Sequence, residues 1–261
     1  MMMKMKKIDL MIVLFCLGTL LSAQTLTAKE IMLRVQNTPK PETSVTEVRL
    51  EIVRYKRGKE KIKVREFTRF RKFYHSGKFK AKSLVRFHKP LAVKGTGLLN
   101  WIYTNGKTEQ WFFLPKLKTA KRIKTKEKMK SFMGTNFIYE DLEDRKIGDD
   151  SLSMVSAAFY EGNQCTIIMA WPKNNSAYHA RKIWVAKENY QIVKIEFYTD
   201  ESVKEKTLTI SEFETIKGYT TPRRMVMKNE NGNKTIMAIT DFKPNVGLKD
   251  EIFSESFLIK F

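Results

Sequence analysis

Residues 98–114 read LLNWIYTNGKTEQWFFL, a pattern that is typical of a β-hairpin. Two apolar and aromatic runs flank Asn105-Gly106, a dipeptide that commonly forms the tight turn between antiparallel strands. Successive side chains of a strand point to opposite faces, so the second run carries two separate rows. Both rows are apolar: one contains Phe112 and Leu114, the other Trp111 and Phe113. We therefore expect this strand to be covered on both sides.

Further strands are indicated on both sides of the hairpin. Val48, Leu50 and Ile52 alternate with charged residues, as in a half-buried strand, and Glu161-Gly162-Asn163 and Asn231-Gly232 separate later runs of the same kind. We predict about eleven antiparallel strands in one meandering sheet. A sheet of that many strands must curl. The fold class is therefore mainly β (α+β), built on a single curled antiparallel sheet.

Two substantial segments do not have the strand pattern. Residues 27–35 predict a short helix, because Thr27 and Glu30 have the spacing of a capping box. Residues 124–143 form an insertion between two strand-like runs. The concave face of a curled sheet must be filled, so we expect the helix and the insertion to form its plug or lid.

The first residues have the features of a secretory signal peptide. Three lysines form a positive region, residues 10–21 an apolar region, and Ser22-Ala23 a small-residue cleavage site. We expect residues 1–23 to be removed and residues 24–261 to form a single secreted domain. A hydrophobic content of 42% provides ample material for its core. The apolar run is too short to cross a membrane comfortably.

The chain contains two cysteines, Cys16 and Cys165. Cys16 lies within the predicted signal peptide and follows Phe15, whereas lipoprotein processing requires a small residue there, so we expect no lipid anchor. Cys165 then remains as the single thiol, which excludes an internal disulfide. Its strand-like apolar surroundings favour a small buried hydrophobe over a nucleophile.

A formal net charge of +21 predicts anionic partners. Export makes nucleic acid a poor candidate and favours lipid headgroups, and a purely solubilising surface charge is the alternative. The charge is densest in residues 116–130, where Glu127 is the sole acid. Because Phe132 and Met133 follow directly, this run is either a solvated loop or a site where headgroups meet lysines while acyl chains meet apolar residues.

Signatures of catalysis and of metal binding are missing from the sequence. The three histidines, His75, His88 and His179, have no metal-ligand spacing, and no Gly-x-Ser-x-Gly motif occurs. Gly95-Thr96-Gly97 lacks the lysine and hydroxyl residue that end a phosphate-binding loop. The acidic residues within 140–150 lack EF-hand spacing and are interpreted as local balance for the basic run. We expect no enzyme activity, no catalytic residue, no cofactor and no metal.

Several short motifs resemble the outer membrane lipoprotein-sorting family, the LolA-like periplasmic carriers of bacteria. They are RFHKP at 86–90, KGTGLL at 94–99, the tryptophan-rich hairpin, FMG at 132–134, MVMKN at 225–229 and KT at 234–235. The resemblance implies an incomplete barrel, a half β-barrel, with helices over its concave face and acyl chains held between them. An arginine pair of the family corresponds to Lys121-Arg122, so Lys121 keeps the charge but loses the bidentate geometry.

The resemblance also implies a function: a periplasmic carrier that binds acyl chains of lipoproteins or lipids in a hydrophobic cavity and shuttles them between membranes. Its partners would be acylated lipoprotein or lipid, an anionic membrane surface and an inner-membrane transporter, without nucleic acid, and it would act as a monomer. Gly134 is a candidate hinge for a movable cover. The predicted ligand-binding residues are Trp101, Trp111, Phe112, Leu114, Lys121, Arg122, Phe132, Met133, Phe137 and Tyr139. Core packing is the alternative for the hairpin tryptophans, and a solvated loop is the alternative for the basic pair.

Two other classes of function are compatible with the sequence. One is a membrane-surface adaptor, or an accessory subunit of a lipid exporter, that holds no cargo in a cavity. It would dock through the basic face of the strand-like run 61–74, which consists of Lys61, Lys63, Arg65, Arg69 and Arg71. The other is a secreted hydrolase with a triad assembled from distant residues.

Overall fold

The computed structural model describes residues 26–260, and the predicted signal peptide, residues 1–23, lies outside the described residues. Within residues 26–260, thirteen strands form one antiparallel sheet. They are β1 Thr43–Lys56, β2 Lys59–Phe73, β3 Phe79–Lys89, β4 Gly97–Tyr103, β5 Thr108–Leu114, β6 Thr119–Arg122, β7 Asp150–Tyr160, β8 Asn163–Pro172, β9 Ala180–Ala186, β10 Ile192–Tyr198, β11 Lys204–Ile216, β12 Tyr219–Asn229 and β13 Lys234–Pro244. Two helices, α1 (Ala28–Gln36) and α2 (Glu255–Ile259), lie near the two ends of the described chain.

The first and last strands meet in the middle of the sheet. β1 pairs with both β2 and β13, while β6 and β7 are the two edges. The chain winds outward from β1 to β6, crosses to the opposite edge in residues 123–149, and winds back inward from β7 to β13. We call residues 123–149 the crossing segment. β6 and β7 do not pair with each other, so the curled sheet is an incomplete barrel, as the resemblance implied.

The prediction of about eleven strands was too low, and β6 was not among the predicted runs. Its sequence, Thr-Ala-Lys-Arg, has no apolar alternation, and three of its four side chains are exposed. A short edge strand with basic side chains needs no apolar face, and its charges discourage pairing with another chain. Alternating hydrophobicity, which predicted the other strands, therefore does not reveal β6.

The capping-box prediction for the first helix is confirmed. The Thr27 hydroxyl accepts a hydrogen bond from the Glu30 backbone N–H at 3.3 Å, and the Glu30 carboxylate accepts one from the Thr27 N–H at 2.7 Å. The helix then buries Ala28 and Ile31 against apolar side chains of β8 and β9. These are Ile168, Ala170, Ile183 and Val185.

The crossing segment covers the same face of the sheet as α1. Its residues Phe132 and Tyr139 pack on apolar side chains of the central strands, among them Leu50 and Phe87. Ile195 packs both against the α1 cluster and against the cluster around Phe137 of the crossing segment. The helix and the insertion therefore lie together over the concave face, as predicted.

The opposite face of β3, β4 and β5 is covered by the C-terminal turn Asp250–Phe253 and by α2. Phe253 and Leu258 are fully buried against an outer row of side chains, which consists of Leu84, Leu99, Trp111 and Phe113. On the concave side of β5, Phe112 packs against Phe132 and Tyr139. The strand is therefore covered on both sides, as its two apolar rows predicted.

Candidate functional site

A cavity of about 380 Å³ lies on the concave face, bounded by α1 and the crossing segment. Met32 and Val35 of α1 and Phe137 of the crossing segment line it. Its floor is apolar and comes from β9 to β12: Ile183, Ile192, Ile195, Phe197, Leu208 and Met227. Small-molecule sites in proteins span roughly 300–1,000 Å³, so this cavity is large enough to hold a ligand.

The register of the strands makes this floor continuous. Ile183 lies opposite Ile195. Ile195 lies opposite Leu208, which in turn lies opposite Met227. Side chains directly opposed on neighbouring antiparallel strands share a face. These four residues therefore form one apolar row across four strands, which we call the floor row.

A buried ion pair fixes the crossing segment beside the cavity. The Asp141 carboxylate lies 2.7 Å from Lys206 Nζ, and the two side chains are 4% and 3% exposed. The Tyr178 hydroxyl donates to the same carboxylate at 2.8 Å. Burial and the Asp141 charge raise the pKa of Tyr178 far above its ordinary value, so the hydroxyl keeps the proton that it donates.

Glu140 makes a second attachment to the sheet. Its carboxylate accepts hydrogen bonds from Arg181 at 2.6 Å, from the Ser176 hydroxyl at 2.5 Å and from the Ala177 backbone N–H at 2.8 Å. Burial by itself would raise the pKa of Glu140, but these hydrogen bonds and the charges of Arg181 and Arg145 hold it below the ordinary value. The ionised carboxylate therefore ties the crossing segment to β9.

The Phe-Met-Gly motif forms the tip of the crossing segment and rests on β1 and β2. Arg54 donates to the Gly134 carbonyl at 2.7 Å, and Arg65 donates to the Met133 carbonyl at 2.6 Å. Met133 and Gly134 have positive φ angles of 50° and 71°, a region that glycine adopts most easily. The motif is thus a clamped turn, and the role of Gly134 as a hinge stays a prediction.

The basic face of β2 turns largely toward the concave side. Arg65 holds the tip of the crossing segment, and Arg71 forms an ion pair with Asp144 of the same segment. Lys61 and Lys63, nearer the start of the strand, are exposed. The surface that a membrane adaptor would use is therefore partly occupied by contacts within the chain.

Part of the predicted ligand-binding set forms an aromatic cluster over β3 to β5. The rings of Phe112, Phe132 and Tyr139 have centroids 5.5, 6.1 and 6.4 Å apart, and Met133 packs against the same core. These side chains fill this half of the concave face with the protein's own atoms. Phe137 is the member of the predicted set that lines the cavity.

The remaining predicted residues lie away from the cavity. Trp101 and Trp111 pack together on the opposite face, 4.6 Å between ring centroids, and the Trp101 indole donates to a backbone carbonyl of the C-terminal turn at 2.8 Å. Arg122 lies over the Trp111 ring on that face. Leu114 and Lys121 lie at the β5–β6 edge, where Lys121 pairs with a glutamate of the crossing segment at 2.6 Å. The structure therefore does not bring the ten residues into one site.

The acidic residues within 140–150 pair mostly with cations far along the chain. Glu143 does pair with Lys128 of the basic run, at 2.5 Å. Glu140, Asp141 and Asp144, however, pair with arginines and a lysine of β9, β11 and β2. The interpretation of these acids as local balance was therefore wrong for most of them, and their main effect is to attach the crossing segment to the sheet.

The floor row was not among the predicted site residues. Its members alternate with their neighbours in ordinary strand patterns, and no single strand shows which apolar row will line a cavity beneath a cover. The order of the hairpins along the chain does determine which apolar side chains of neighbouring strands lie opposite one another. Aligning β9 to β12 by their turns brings the four side chains opposite one another.

The described residues contain few groups suited to nucleophilic or metal chemistry. Cys165 is free and fully buried, and burial raises the pKa of its thiol, which agrees with a packing role. Within residues 26–260, no three His, Cys, Asp or Glu side chains are grouped so as to hold a metal ion. Over the same range, no helix has the length and hydrophobicity needed to span a membrane.

Solved structures that share this fold include the following three. An outer membrane lipoprotein-sorting protein domain from Vibrio parahaemolyticus is 26% identical, with a TM-score of 0.82 over 89% of this chain and 98% of that chain. A DUF1329 family protein from Desulfovibrio piger is 25% identical, with a TM-score of 0.81 over 88% and 97%. A LolA superfamily protein from Nitrosomonas europaea is 19% identical, with a TM-score of 0.67 over 89% and 100%, and shares the fold alone.

The incomplete barrel with a covered concave face is thus the fold of the LolA-like proteins, which include lipoprotein-sorting domains. A family model described as "Uncharacterized protein" matches residues 80–260, and the chain belongs to that family. A comparison with curated proteins gives no match.

Proposed function

We propose that this protein is a carrier that binds the acyl chain of a lipoprotein or lipid in the concave cavity and moves it between membranes. The observation that supports this most strongly is the floor row, four aligned apolar side chains beneath α1 and the crossing segment. Burial of an acyl chain is favourable by about 0.8 kcal/mol per methylene. A long chain therefore supplies ample affinity without a cofactor.

A carrier must also release its cargo, and the crossing segment provides a means. It is attached to the sheet by discrete polar contacts, Asp141 with Lys206 and Glu140 with Arg181, as well as by apolar packing. Contacts of this kind break and re-form together when a cover moves as a unit. In this proposal the crossing segment opens, with Gly134 as a hinge, and no covalent bond is formed or broken.

The proposed setting is the periplasm, reached through the predicted signal peptide. The Vibrio relative is described as a lipoprotein-sorting domain, and we extend that role to this chain. Cargo would be loaded from an inner-membrane transporter and delivered at an anionic membrane, toward which the positive charge of the protein directs it. The net charge is +21 for the full sequence and +19 without residues 1–23, which contain three lysines and one aspartate. The proposed carrier acts as a monomer and is not an enzyme.

One observation favours the adaptor as a second candidate. Most lysines of residues 116–130 are exposed, so a basic surface remains although the basic face of β2 turns inward. In that case the positive run would bind anionic headgroups directly, and the cavity would stay without cargo.

Filling the cavity distinguishes the two candidates. Leu208→Trp places an indole in the middle of the floor row, and we expect it to abolish uptake of a fluorescent long-chain fatty acid. Ile62→Trp is the matched control, because it makes a similar change where the side chain is 53% exposed. Circular dichroism and thermal unfolding verify that both variants are folded. Undiminished uptake by folded Leu208→Trp would contradict the carrier proposal.

A further inference from the structure

Three positive side chains line one part of the cavity, and a fourth lies beside them on β2. Lys40, Arg71 and Lys80 line it, and Arg69 lies two residues before Arg71 on the same face of β2. All four act electrostatically on one carboxylate, that of Asp144 in the crossing segment. We call Lys40, Arg69, Arg71 and Lys80 the cation cluster.

The other acidic residues of the cavity have cations of their own. The pairs are Glu140 with Arg181, Asp141 with Lys206, Glu143 with Lys128 and Asp150 with Arg145. The remaining carboxylate, that of Asp144, pairs with Arg71 of the cation cluster. Four positive charges around one negative charge give this part of the cavity a positive excess, while the charges along the rest of its wall are balanced.

Two donors in the cation cluster have no acceptor. The Nε atoms of Arg69 and Arg71 are buried and make no hydrogen bond to any described residue. Buried donors in proteins are nearly always satisfied, so these atoms lack a partner of the kind that an anionic ligand supplies. Burial and the neighbouring Arg71 lower the pKa of Arg69 to about 10, so its guanidinium is still charged at neutral pH.

Phe73 holds part of the cation cluster beside the apolar cavity. The Arg71 guanidinium lies 4.5 Å from the centre of the Phe73 ring, and Lys40 Nζ lies 6.0 Å from it. Phe73 itself lines the cavity. A ligand with an apolar chain on the floor row would therefore meet concentrated positive charge where the chain ends.

We propose that the cation cluster binds an anionic group, a carboxylate or a phosphate, that is attached to the acyl ligand. The cargo class is then an anionic acyl lipid, with its chain on the floor row and its charged group between Arg69, Arg71 and Lys80. The planar arginines suit bidentate contact with either anion, and the lysines add point charges. This inference rests on the proposed carrier function and goes further by naming the chemistry of the cargo.

Paired ligands test the inference directly. A long-chain fatty acid and its methyl ester have the same chain and differ in charge. The affinity for the ester therefore measures binding to the floor row alone, and the affinity for the acid measures binding to the floor row and the cation cluster together. We expect the acid to bind roughly ten- to a hundredfold more tightly to the wild-type protein, as charge-assisted hydrogen bonds allow. Lysophosphatidic acid should show the same preference over a monoacylglycerol of equal chain length.

Variants of the cation cluster should remove this preference selectively. We expect Arg69→Gln and Lys80→Gln each to weaken binding of the acid severalfold and to leave binding of the ester unchanged. The double variant Lys116→Gln/Lys118→Gln removes charge from an exposed turn and is the matched control, with no expected effect on either ligand. Asp144→Asn removes the competing carboxylate and should tighten binding of the acid, a gain that damage to the fold would not produce.

The possible results separate this inference from the carrier proposal. Equal affinities for acid and ester would overturn the inference and leave the carrier proposal intact, whereas no binding of either ligand would overturn both. Inorganic phosphate alone should not displace the fatty acid at concentrations at which lysophosphatidic acid does. Equal displacement by phosphate would show a site for the free anion and overturn the assignment to a lipid headgroup.

Discussion

At the scale of single residues, Asp141 and Lys206 illustrate how the cover is held. Both side chains are almost fully buried, and their charged atoms lie 2.7 Å apart. Asp141→Asn leaves a buried ammonium group without its counter-ion, so we expect the free energy of unfolding to fall by about 3–5 kcal/mol in urea denaturation.

The exposed pair Lys204 and Glu230, 3.4 Å apart, supplies a control for this prediction. Glu230→Gln breaks a pair that water already screens, and the expected loss is below about 1 kcal/mol. Similar losses in the two variants would show that burial does not set the strength of the Asp141 attachment.

Glu140 gives the stability of the protein a defined dependence on pH. Burial raises its pKa, but the hydrogen bonds from Ala177 and Ser176 outweigh burial and bring the pKa below 4.5. A carboxyl with a depressed pKa stabilises the fold fully above its unfolded pKa, and this contribution is lost as the pH falls through the folded pKa. We expect the difference in unfolding free energy between wild type and Glu140→Gln to be largest at neutral pH and to shrink below about pH 4.5.

Urea denaturation of both proteins at a series of pH values measures this difference. Comparing the two proteins at each pH removes the contributions of other carboxyl groups that titrate in both. A difference that stays constant from neutral to acidic pH would mean that Glu140 is not held in its ionised form by these contacts.

Single residues also show where sequence reasoning stops. Phe112 and Trp111 were assigned to opposite faces, and this is confirmed because alternation is a local property of a strand. Trp101 and Trp111 were assigned to the ligand site, yet they lie away from the cavity and pack beneath the C-terminal turn. This contact joins the hairpin to the C-terminal turn, and the local pattern around the tryptophans does not predict a contact with so distant a part of the chain.

At the scale of elements, the turn at the tip of the crossing segment requires a positive φ at Gly134. Its φ of +71° costs any other residue about 1–2 kcal/mol, although the space around its Cα is open. We expect Gly134→Ala to lower the unfolding free energy by about that amount. Gly148→Ala is the matched control, since Gly148 lies in the same segment with equally open surroundings and without a positive φ. Equal effects in the two variants would contradict a backbone role for Gly134.

Elements differ in how well the sequence reveals them. The capping box of α1 and the long strands carry local patterns and were predicted. The position of residues 124–143 over the concave face was expected because a curled sheet needs a cover, but their attachment by Asp141 and Glu140 was not. The partners of these acids, Lys206 and Arg181, come from strands much later in the chain.

At the scale of the whole molecule, the net charge of +21 and the apolar cavity suggest opposite responses to salt. Uptake of an uncharged fatty ester depends on apolar burial, so we expect its affinity to persist at about 1 M salt, where the Debye length is about 3 Å. Attachment of the protein to anionic vesicles should be lost under the same conditions. Fluorescence uptake and vesicle sedimentation across a salt series measure the two effects. Loss of ester uptake in parallel with vesicle attachment would favour the surface adaptor.

The most direct measurement of the central claim is native mass spectrometry, with lipid extraction, on the protein purified from its own host. The carrier account predicts a bound acylated species with an anionic group, present in the wild type and in Ile62→Trp and absent from folded Leu208→Trp. A wild-type protein that shows its unliganded mass under gentle ionisation, and that takes up no added fatty acid or ester, would contradict the account.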